Sequence, residues 1–323
     1  MNVLITGGGG FLGAALARAL LARGDTVTVL DTNLSAWEGA AGAQVRPRLA
    51  WGDITDLSNV AQALLAARPD AVIHCAAIVG VLNSLASPIG VVRVNVEGAL
   101  NVFEAMRLAG TRRVLHISSE ETYGPFQADI IDESHPQHPT LPYGISKLAV
   151  EHLGRTYREL HGLEVINLRT TWVFGPGLPR NRIPKNLLDA ALEGRPLHLP
   201  SGAESAIDHT YVDDFVAGTL LALDCPSHPF DAYHIGSGES ATGAQLVAHI
   251  QALVPGARLS VGPGPYRFDD RVAAVRKGAL SIERARSTFG YKPAFGIRQA
   301  LAAYLQARRA SGQAHPLSQE IPR

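Results

Sequence analysis

Short apolar runs alternate along the chain with longer stretches in which apolar residues recur every three or four positions. Val3–Ile5 predicts a strand and Phe11–Ala22 a helix. Val27–Leu30 and Arg48–Trp51 predict two more strands, Leu57–Ala67 a helix and Ala71–His74 a strand. Ile89–Ala109 predicts one long helix, followed by strand Arg113–Ser118, helix Gly144–Leu160 and strand Glu164–Leu168. Short continuous apolar runs suit strands covered on both faces, and the three-to-four spacing suits the helices that cover them. Their regular alternation predicts an α/β fold: a doubly wound parallel sheet with helices on both sides. No internal repeat is visible at a solenoid period.

The texture changes after Phe174. Gly175-Pro176-Gly177 opens a Pro-, Gly- and Arg-rich segment that runs to about Ala206. Later pieces are mixed, with a helix predicted at Ala244–Leu253 and another at Ile297–Ala307. The expected division is a sheet domain of residues 1–174 and 207–232, and a smaller α/β lobe of residues 175–206 and 233–309. Residues 310–323, polar with Pro316 and Pro322, predict a disordered tail.

Composition narrows the function by exclusion. The 323 residues are long enough for one large or two modest domains. Lys and Arg number 29 and Asp and Glu 29, so no bulk charge recruits nucleic acid or an anionic membrane. Cys75 and Cys225 give neither a disulfide framework nor a metal-ligand cluster, which fits a reducing compartment and no bound metal. The chain enters structure at once, without a basic start and apolar run, and carries no stretch long enough to span a bilayer. A cytoplasmic protein is expected.

The first strand runs into Thr6-Gly7-Gly8-Gly9-Gly10-Phe11-Leu12-Gly13 and then into a helix. Glycines at 7, 10 and 13 leave no side chain where backbone must approach a pyrophosphate, and the helix start offers free N–H groups to it. Asp31 ends the second strand roughly twenty residues on, where a carboxylate can accept both ribose hydroxyls of adenosine. It would repel a 2′-phosphate, and no Arg or Lys stands beside it, so NAD is the expected cofactor. Asp53-Ile54 ends the third predicted strand, where a carboxylate could reach the adenine; a turn or helix-cap aspartate is the alternative.

Tyr143-Gly-Ile-Ser-Lys147 opens a helix, and residues four apart share a face. Tyrosine titrates near ~10 when unperturbed. An adjacent ammonium and a nicotinamide ring both favour phenolate, so Tyr143 could act as a general base and Lys147 could also hold the nicotinamide ribose.

Gly7-x-x-Gly10-x-x-Gly13, Asp31, Asp53, His74-Cys-Ala-Ala77, Asn95, Ser118-Ser119 and Tyr143-x-x-x-Lys147 together resemble the extended short-chain dehydrogenase/reductase family, in its NAD-dependent epimerase/dehydratase branch. Arg169…Phe174-Gly-Pro-Gly177, Tyr211-Val-Asp-Asp214 and Ile235-Gly-Ser-Gly238 extend the likeness over essentially the whole chain. The resemblance implies a Rossmann-type fold with an NAD-binding domain and a substrate-binding lobe. It implies that Phe11 and Leu12 sit in the cofactor turn and that Ser119 polarises the reacting oxygen beside Tyr143. It also implies that Ala76 and Ala77 line the nicotinamide end and that Asn95 holds nearby backbone. Helices Ile89–Ala109 and Gly144–Leu160 would pair across a two-fold axis, giving a homodimer.

Ser119-Glu120-Glu121 resembles the dehydratases and decarboxylases of the branch more than the simple epimerases. Once a carbinol is oxidised to a ketone, the neighbouring C–H is acidified; one carboxylate can take that proton and a protonated one can assist loss of hydroxide. Adjacent glutamates are expected to point different ways, so at most one reaches substrate, with Glu121 the stronger candidate; the alternative is that both are solvated or make structural hydrogen bonds. Two positions depart from the nucleotide-sugar pattern. Trp172 stands where an Asn usually contacts diphosphate, and Ile207 stands where an Arg does. Arg180, Arg182 and Arg267 could replace them or bind a smaller anion, and Trp172 could stack on a sugar or close an apolar wall. Three readings remain: a sugar epimerase or dehydratase that keeps its NAD, a dehydrogenase of a sugar, sugar acid or other secondary alcohol that releases NADH, and a non-catalytic NAD-binding scaffold.

Overall fold

The computed structural model describes residues 1–38 and 45–310. Residues 311–323 of the predicted tail lie outside the described residues.

Seven parallel strands form the central sheet: β1 (Asn2–Thr6), β2 (Thr26–Asp31), β3 (Arg48–Trp51), β4 (Ala71–His74), β5 (Arg113–Ser119), β6 (Glu164–Thr170) and β7 (Ala232–Ile235). Their spatial order is β3-β2-β1-β4-β5-β6-β7. The order reverses between β1 and β4, and in such sheets the crevice beyond the strand C-termini at that point takes the ligand.

The two faces of the sheet bury different helices because side chains alternate along each strand. Val3, Ile5, Ile73, Leu115, Ile117, Ile166 and Leu168 pack with α1 (Phe11–Ala22). Leu4, Val72, Val114 and Val165 pack on the opposite face with α2 (Leu57–Ala67), α3 (Gly98–Ala109) and α4 (Pro142–His161). Both sets are essentially fully buried.

Two expectations change. The predicted long helix at Ile89–Ala109 is a short turn, Pro88–Val91, then a wider π-helical stretch, Val92–Glu97, and only then α3. Apolar spacing cannot report such a bulge, since the helix keeps one buried face throughout. The expected lobe boundary at residue 233 falls inside β7, which hydrogen-bonds to β6 as the seventh strand. Helix Glu283–Phe289 also returns to the sheet: Ala285 and Tyr291 belong to its core, and Tyr291 donates to the Gly236 carbonyl at 2.8 Å.

The smaller lobe has its own core. Leu187 and Leu188 of Lys185–Leu192, Leu246 and Ile250 of Gly243–Leu253, and Leu301 and Tyr304 of Ile297–Ala310 pack together with Trp172 and Phe174. Trp172 and Phe174 follow β6 directly, so the lobe is anchored at the strand ends that face the crevice.

Candidate active site

The glycine turn between β1 and α1 is shaped by backbone contact. Gly7 has φ +73°, and a Cβ there would meet the Ala76 nitrogen at 2.5 Å. A Cβ on Gly13 would collide with the Gly7 carbonyl, whereas one on Gly10 would meet little but that carbonyl, at 3.3 Å. Gly10 is exposed and caps α1 without a side-chain hydrogen bond, and no acidic residue occupies the first turn. The first-turn N–H groups of Phe11, Leu12 and Gly13 therefore keep their positive end for an anion. At the end of β2, Asp31 accepts from Gly9 N–H at 2.8 Å and Asn33 N–H at 2.9 Å, which pins its carboxylate beside the turn. Asp53 accepts from Thr55 N–H at 2.8 Å, the turn role anticipated as its alternative, and Ile54 is buried against α3.

Beyond the turn lies a cavity of about 550 Å³. Its walls come from four strand ends: Cys75 and Ala77 after β4, Ser119 to Glu121 after β5, Thr170 to Val173 after β6, and Phe11 and Leu12 after β1. Tyr143 and Lys147 enter from the first turns of α4. Ala76 lies behind this wall, its N–H facing Thr6 Oγ1 at 3.4 Å. Asn95, in the π-helical stretch, accepts from Ile78 N–H at 2.8 Å, and donates to the Ile78 carbonyl at 3.1 Å and to Ser146 Oγ at 3.0 Å. It thus ties the cavity wall to α4.

Tyr143 and Lys147 do share the cavity, but their partners differ from the simple pairing. The Ser119 hydroxyl lies beside the Tyr143 phenol and opposes the rise in its pKa. Burial raises the Tyr143 pKa above the ordinary tyrosine value, and the strongest opposing charge is Arg180 rather than Lys147. The Lys147 ammonium donates to the Ile117 carbonyl at 2.7 Å and lies 3.3 Å from His116 Nε2. Burial lowers its pKa to about 8.

Both adjacent glutamates line the cavity, contrary to the expectation that one would point away. They lie in a tight helical turn, Glu120–Tyr123, and not in an extended strand, so successive side chains do not alternate faces. Their chemistry differs. Glu121 pairs with Lys277 at 3.2 Å. Glu120 is 1% exposed, neither carboxylate oxygen has a partner, and burial raises its pKa to about 8.

The far wall is aromatic. Trp172 meets Tyr266 edge-on at 5.4 Å and Phe268 at 5.8 Å. Arg182 covers one Trp172 face at 3.9 Å, so that face is not open for stacking on a sugar. Burial lowers the Arg182 pKa to about 10. Arg180 donates to the Val79 carbonyl at 3.2 Å, and neither arginine has an ion-pair partner among the described residues. Arg267 does not join them. It is exposed, bonds the Asp270 carbonyl, and lies on a hairpin arm paired through Ala273. Alternation on that arm sends Tyr266 and Phe268 into the cavity and Arg267 outward.

The model of the NAD dependent epimerase/dehydratase family matches residues 3–236. The chain belongs to this family. It is an NAD-dependent enzyme of the oxidoreductase type, and the glycine cradle and uncapped helix start fit that cofactor. A dTDP-glucose 4,6-dehydratase of Neisseria gonorrhoeae is 29% identical over 94% of this chain and 95% of its own. Among solved structures, MoeE5 in complex with UDP-glucuronic acid and NAD is 28% identical, with a TM-score of 0.84 over 96% of this chain and 100% of its own. The UDP-glucose 4-epimerase of Thermotoga maritima with UDP-glucose is 26% identical, with a TM-score of 0.86 over 97% of this chain and 100% of its own. No helix among the described residues is long and apolar enough to cross a membrane.

Lys277, Tyr266, Phe268 and His116 of this epimerase/dehydratase lie outside its sequence motifs. The first three sit more than 120 residues from the Tyr143 helix start in the chain and reach the site through the fold. His116 was legible as a polar residue inside an apolar strand, which is the signal that could have found it.

Proposed function

We propose that this enzyme oxidises a secondary hydroxyl of a sugar-like substrate transiently, eliminates water from the ketone, and restores its NAD by returning the hydride to the double bond that elimination leaves, with Glu121 giving its proton back to the neighbouring carbon. The observation that carries the reading is the division between Glu120, buried without a hydrogen-bond partner and proton-holding, and Glu121, which makes an ion pair with Lys277 at 3.2 Å. Environments that push two carboxyl groups apart mark an acid and a base.

NAD bound over the glycine turn supplies the two-electron acceptor. Tyr143 takes the hydroxyl proton and Ser119 donates to the same oxygen as it becomes a carbonyl. Glu121 accepts the proton from the acidified carbon, and Glu120 protonates the departing hydroxyl, which leaves as water. Lys147 holds the nicotinamide ribose with the N–H left over from its two protein contacts. Asp31 takes the adenosine ribose, and Arg180 and Arg182 hold an anionic substituent of the substrate.

The substituent is a carboxylate or phosphate carried on the sugar itself. Trp172 and Ile207 cannot grip a diphosphate, and the aromatic wall occupies that end. The same observation supports the second reading, net oxidation of a sugar acid with release of NADH. The setting in this reading is cytoplasmic, in keeping with two unbonded cysteines. The assembly is a homodimer: Ile89 and Val92 are 84% and 53% exposed beside α4, while Phe103 is core.

The test is to denature purified enzyme and assay the released cofactor, then offer nucleotide sugars and simple sugar acids. Retained NAD, no net NADH and a product lighter by one water support elimination. Stoichiometric NADH from a sugar acid would overturn it in favour of the dehydrogenase.

A further inference from the structure

One row of the sheet beneath the Tyr143 helix is polar across four adjacent strands. Thr6, His74, His116 and Asn167 lie side by side on β1, β4, β5 and β6, paired in register. All four are buried, on the face that α4 covers. Thr6 Oγ1 and His74 Nδ1 are 2.7 Å apart, the two imidazoles stack at 5.7 Å, and His116 Nδ1 lies 3.0 Å from Asn167 Oδ1. Buried polar groups at this depth are costly unless satisfied, so a row of them placed in a sheet core calls for a role.

Hydrogen-bond direction gives that role. The Asp231 carbonyl can only accept, so Asn167 turns its Nδ2 toward it, at 3.0 Å. Asn167 Oδ1 then faces His116 Nδ1 and can only accept, which places the ring proton on Nδ1. Burial, with the Lys147 charge beside it, holds His116 neutral, well below the ordinary histidine pKa. Its Nε2 therefore carries a lone pair, 3.3 Å from the Lys147 ammonium.

We propose that Asn167 and His116 form a positioning relay for Lys147: the sheet-edge carbonyl of Asp231 fixes the Asn167 amide, the amide fixes the His116 tautomer, and His116 accepts one N–H of Lys147. With the Ile117 carbonyl taking a second N–H, the third is aimed into the cavity. His116 touches neither substrate nor cofactor; it sets the direction of the group that does. The proposal rests on the reading of Lys147 as the residue that holds the nicotinamide ribose. The groups facing that ammonium are His74, His116 and Cys75 from the sheet side and Glu151 from its own helix.

The test does not need the substrate. In the full-length protein labelled with ¹⁵N-histidine, long-range ¹H–¹⁵N spectra report which His116 nitrogen bears the proton. The relay requires Nδ1–H, and an Nε2–H tautomer overturns it without any substitution. The Lys147 ¹³Cε resonance is then followed against pH, and NAD affinity is measured by titration calorimetry. His116→Leu should move the Lys147 titration to lower pH and weaken NAD binding about 10-fold or more, the loss of one bond to a charged group. His116→Gln, whose amide oxygen can accept from Lys147, should restore both. Asn167→Leu should release the tautomer into a mixture. Wild-type NAD affinity and an unmoved Lys147 titration in folded His116→Leu would overturn the relay, whereas failure of elimination activity with an intact Nδ1–H signal bears only on the proposed reaction.

Discussion

Glu121 and Lys277 form an ion pair of 3.2 Å whose lysine side chain is 2% exposed, and this pairing separates Glu121 chemically from its neighbour Glu120. Lys277 has come from the far end of the chain to do so, against the ring of Phe126 at 5.1 Å. Removing one partner of a buried pair leaves the other charge uncompensated. Lys277→Met should destabilise the protein by about 3–5 kcal/mol. Urea unfolding measures this, and Glu121→Gln added to Lys277→Met should recover part of the loss; full additivity of the two would refute a direct pairing.

Glu120 makes stability depend on pH in an unusual direction. Its folded pKa of about 8 lies above the carboxylate value of 4.5 in the unfolded chain. Between these values the folded state holds a proton that the unfolded state has lost, so stability falls as pH rises through that window. The slope from this group is roughly 1.4 kcal/mol per pH unit at most. Thermal unfolding from pH 5 to 8 should show the decline, and Glu120→Gln should flatten it while raising stability at neutral pH. In the elimination reading the same variant loses activity by about 10²–10⁴-fold.

Arg180 is the strongest charge favouring the Tyr143 phenolate. Arg180→Met removes it, so the Tyr143 pKa should rise further. The rising limb of the pH profile of kcat/KM should then move to higher pH, with less loss of rate at alkaline pH than at neutral pH. Tyr143→Phe should lower kcat by about 10²–10⁴-fold at every pH. An unmoved limb in Arg180→Met would assign the titration to another group.

The glycine turn offers a contrast between two neighbours. Gly13→Ala drives a Cβ into the Gly7 carbonyl, so both folding stability and NAD retention should suffer. Gly10→Ala meets only that carbonyl, at 3.3 Å, on an exposed face with φ −80°. It should leave the melting temperature nearly unchanged while lowering NAD affinity by roughly 10-fold, an overpacking cost felt only with cofactor bound. Differential scanning calorimetry with and without NAD distinguishes the two.

Much of this was legible in the chain. Helices Phe11–Ala22 and Leu57–Ala67 and strand Ala71–His74 begin and end where the apolar pattern predicts, because each buries one stripe or both faces against the same sheet, and the mostly exposed edge strand Arg48–Trp51 also keeps its predicted bounds. Gly7, Gly10 and Gly13, and Tyr143 with Lys147, are close in sequence, and local geometry is enough to bring each set together. Arg267 was misplaced because the choice between the two sides of a hairpin arm is set by its pairing with Ala273, which has no local signature. Glu120 and Glu121 were expected to point different ways, and the tight turn that follows β5 brings both to the cavity.

The sequence by itself determined the parallel sheet, the glycine turn and the shared helix face of Tyr143 and Lys147, since each rests on periodicity or on spacings within a single element. Only the tertiary structure decided what those groups face. Lys277 pairs with Glu121 while Glu120 has no hydrogen-bond partner, Arg180 outweighs Lys147 at Tyr143, and Asn167 orients His116. Those relationships join residues far apart in the chain, through burial and strand register. Burial and register exist only once the sheet has assembled, and they shift the titration of Glu120, Tyr143 and Lys147 away from the ordinary values of their residue types.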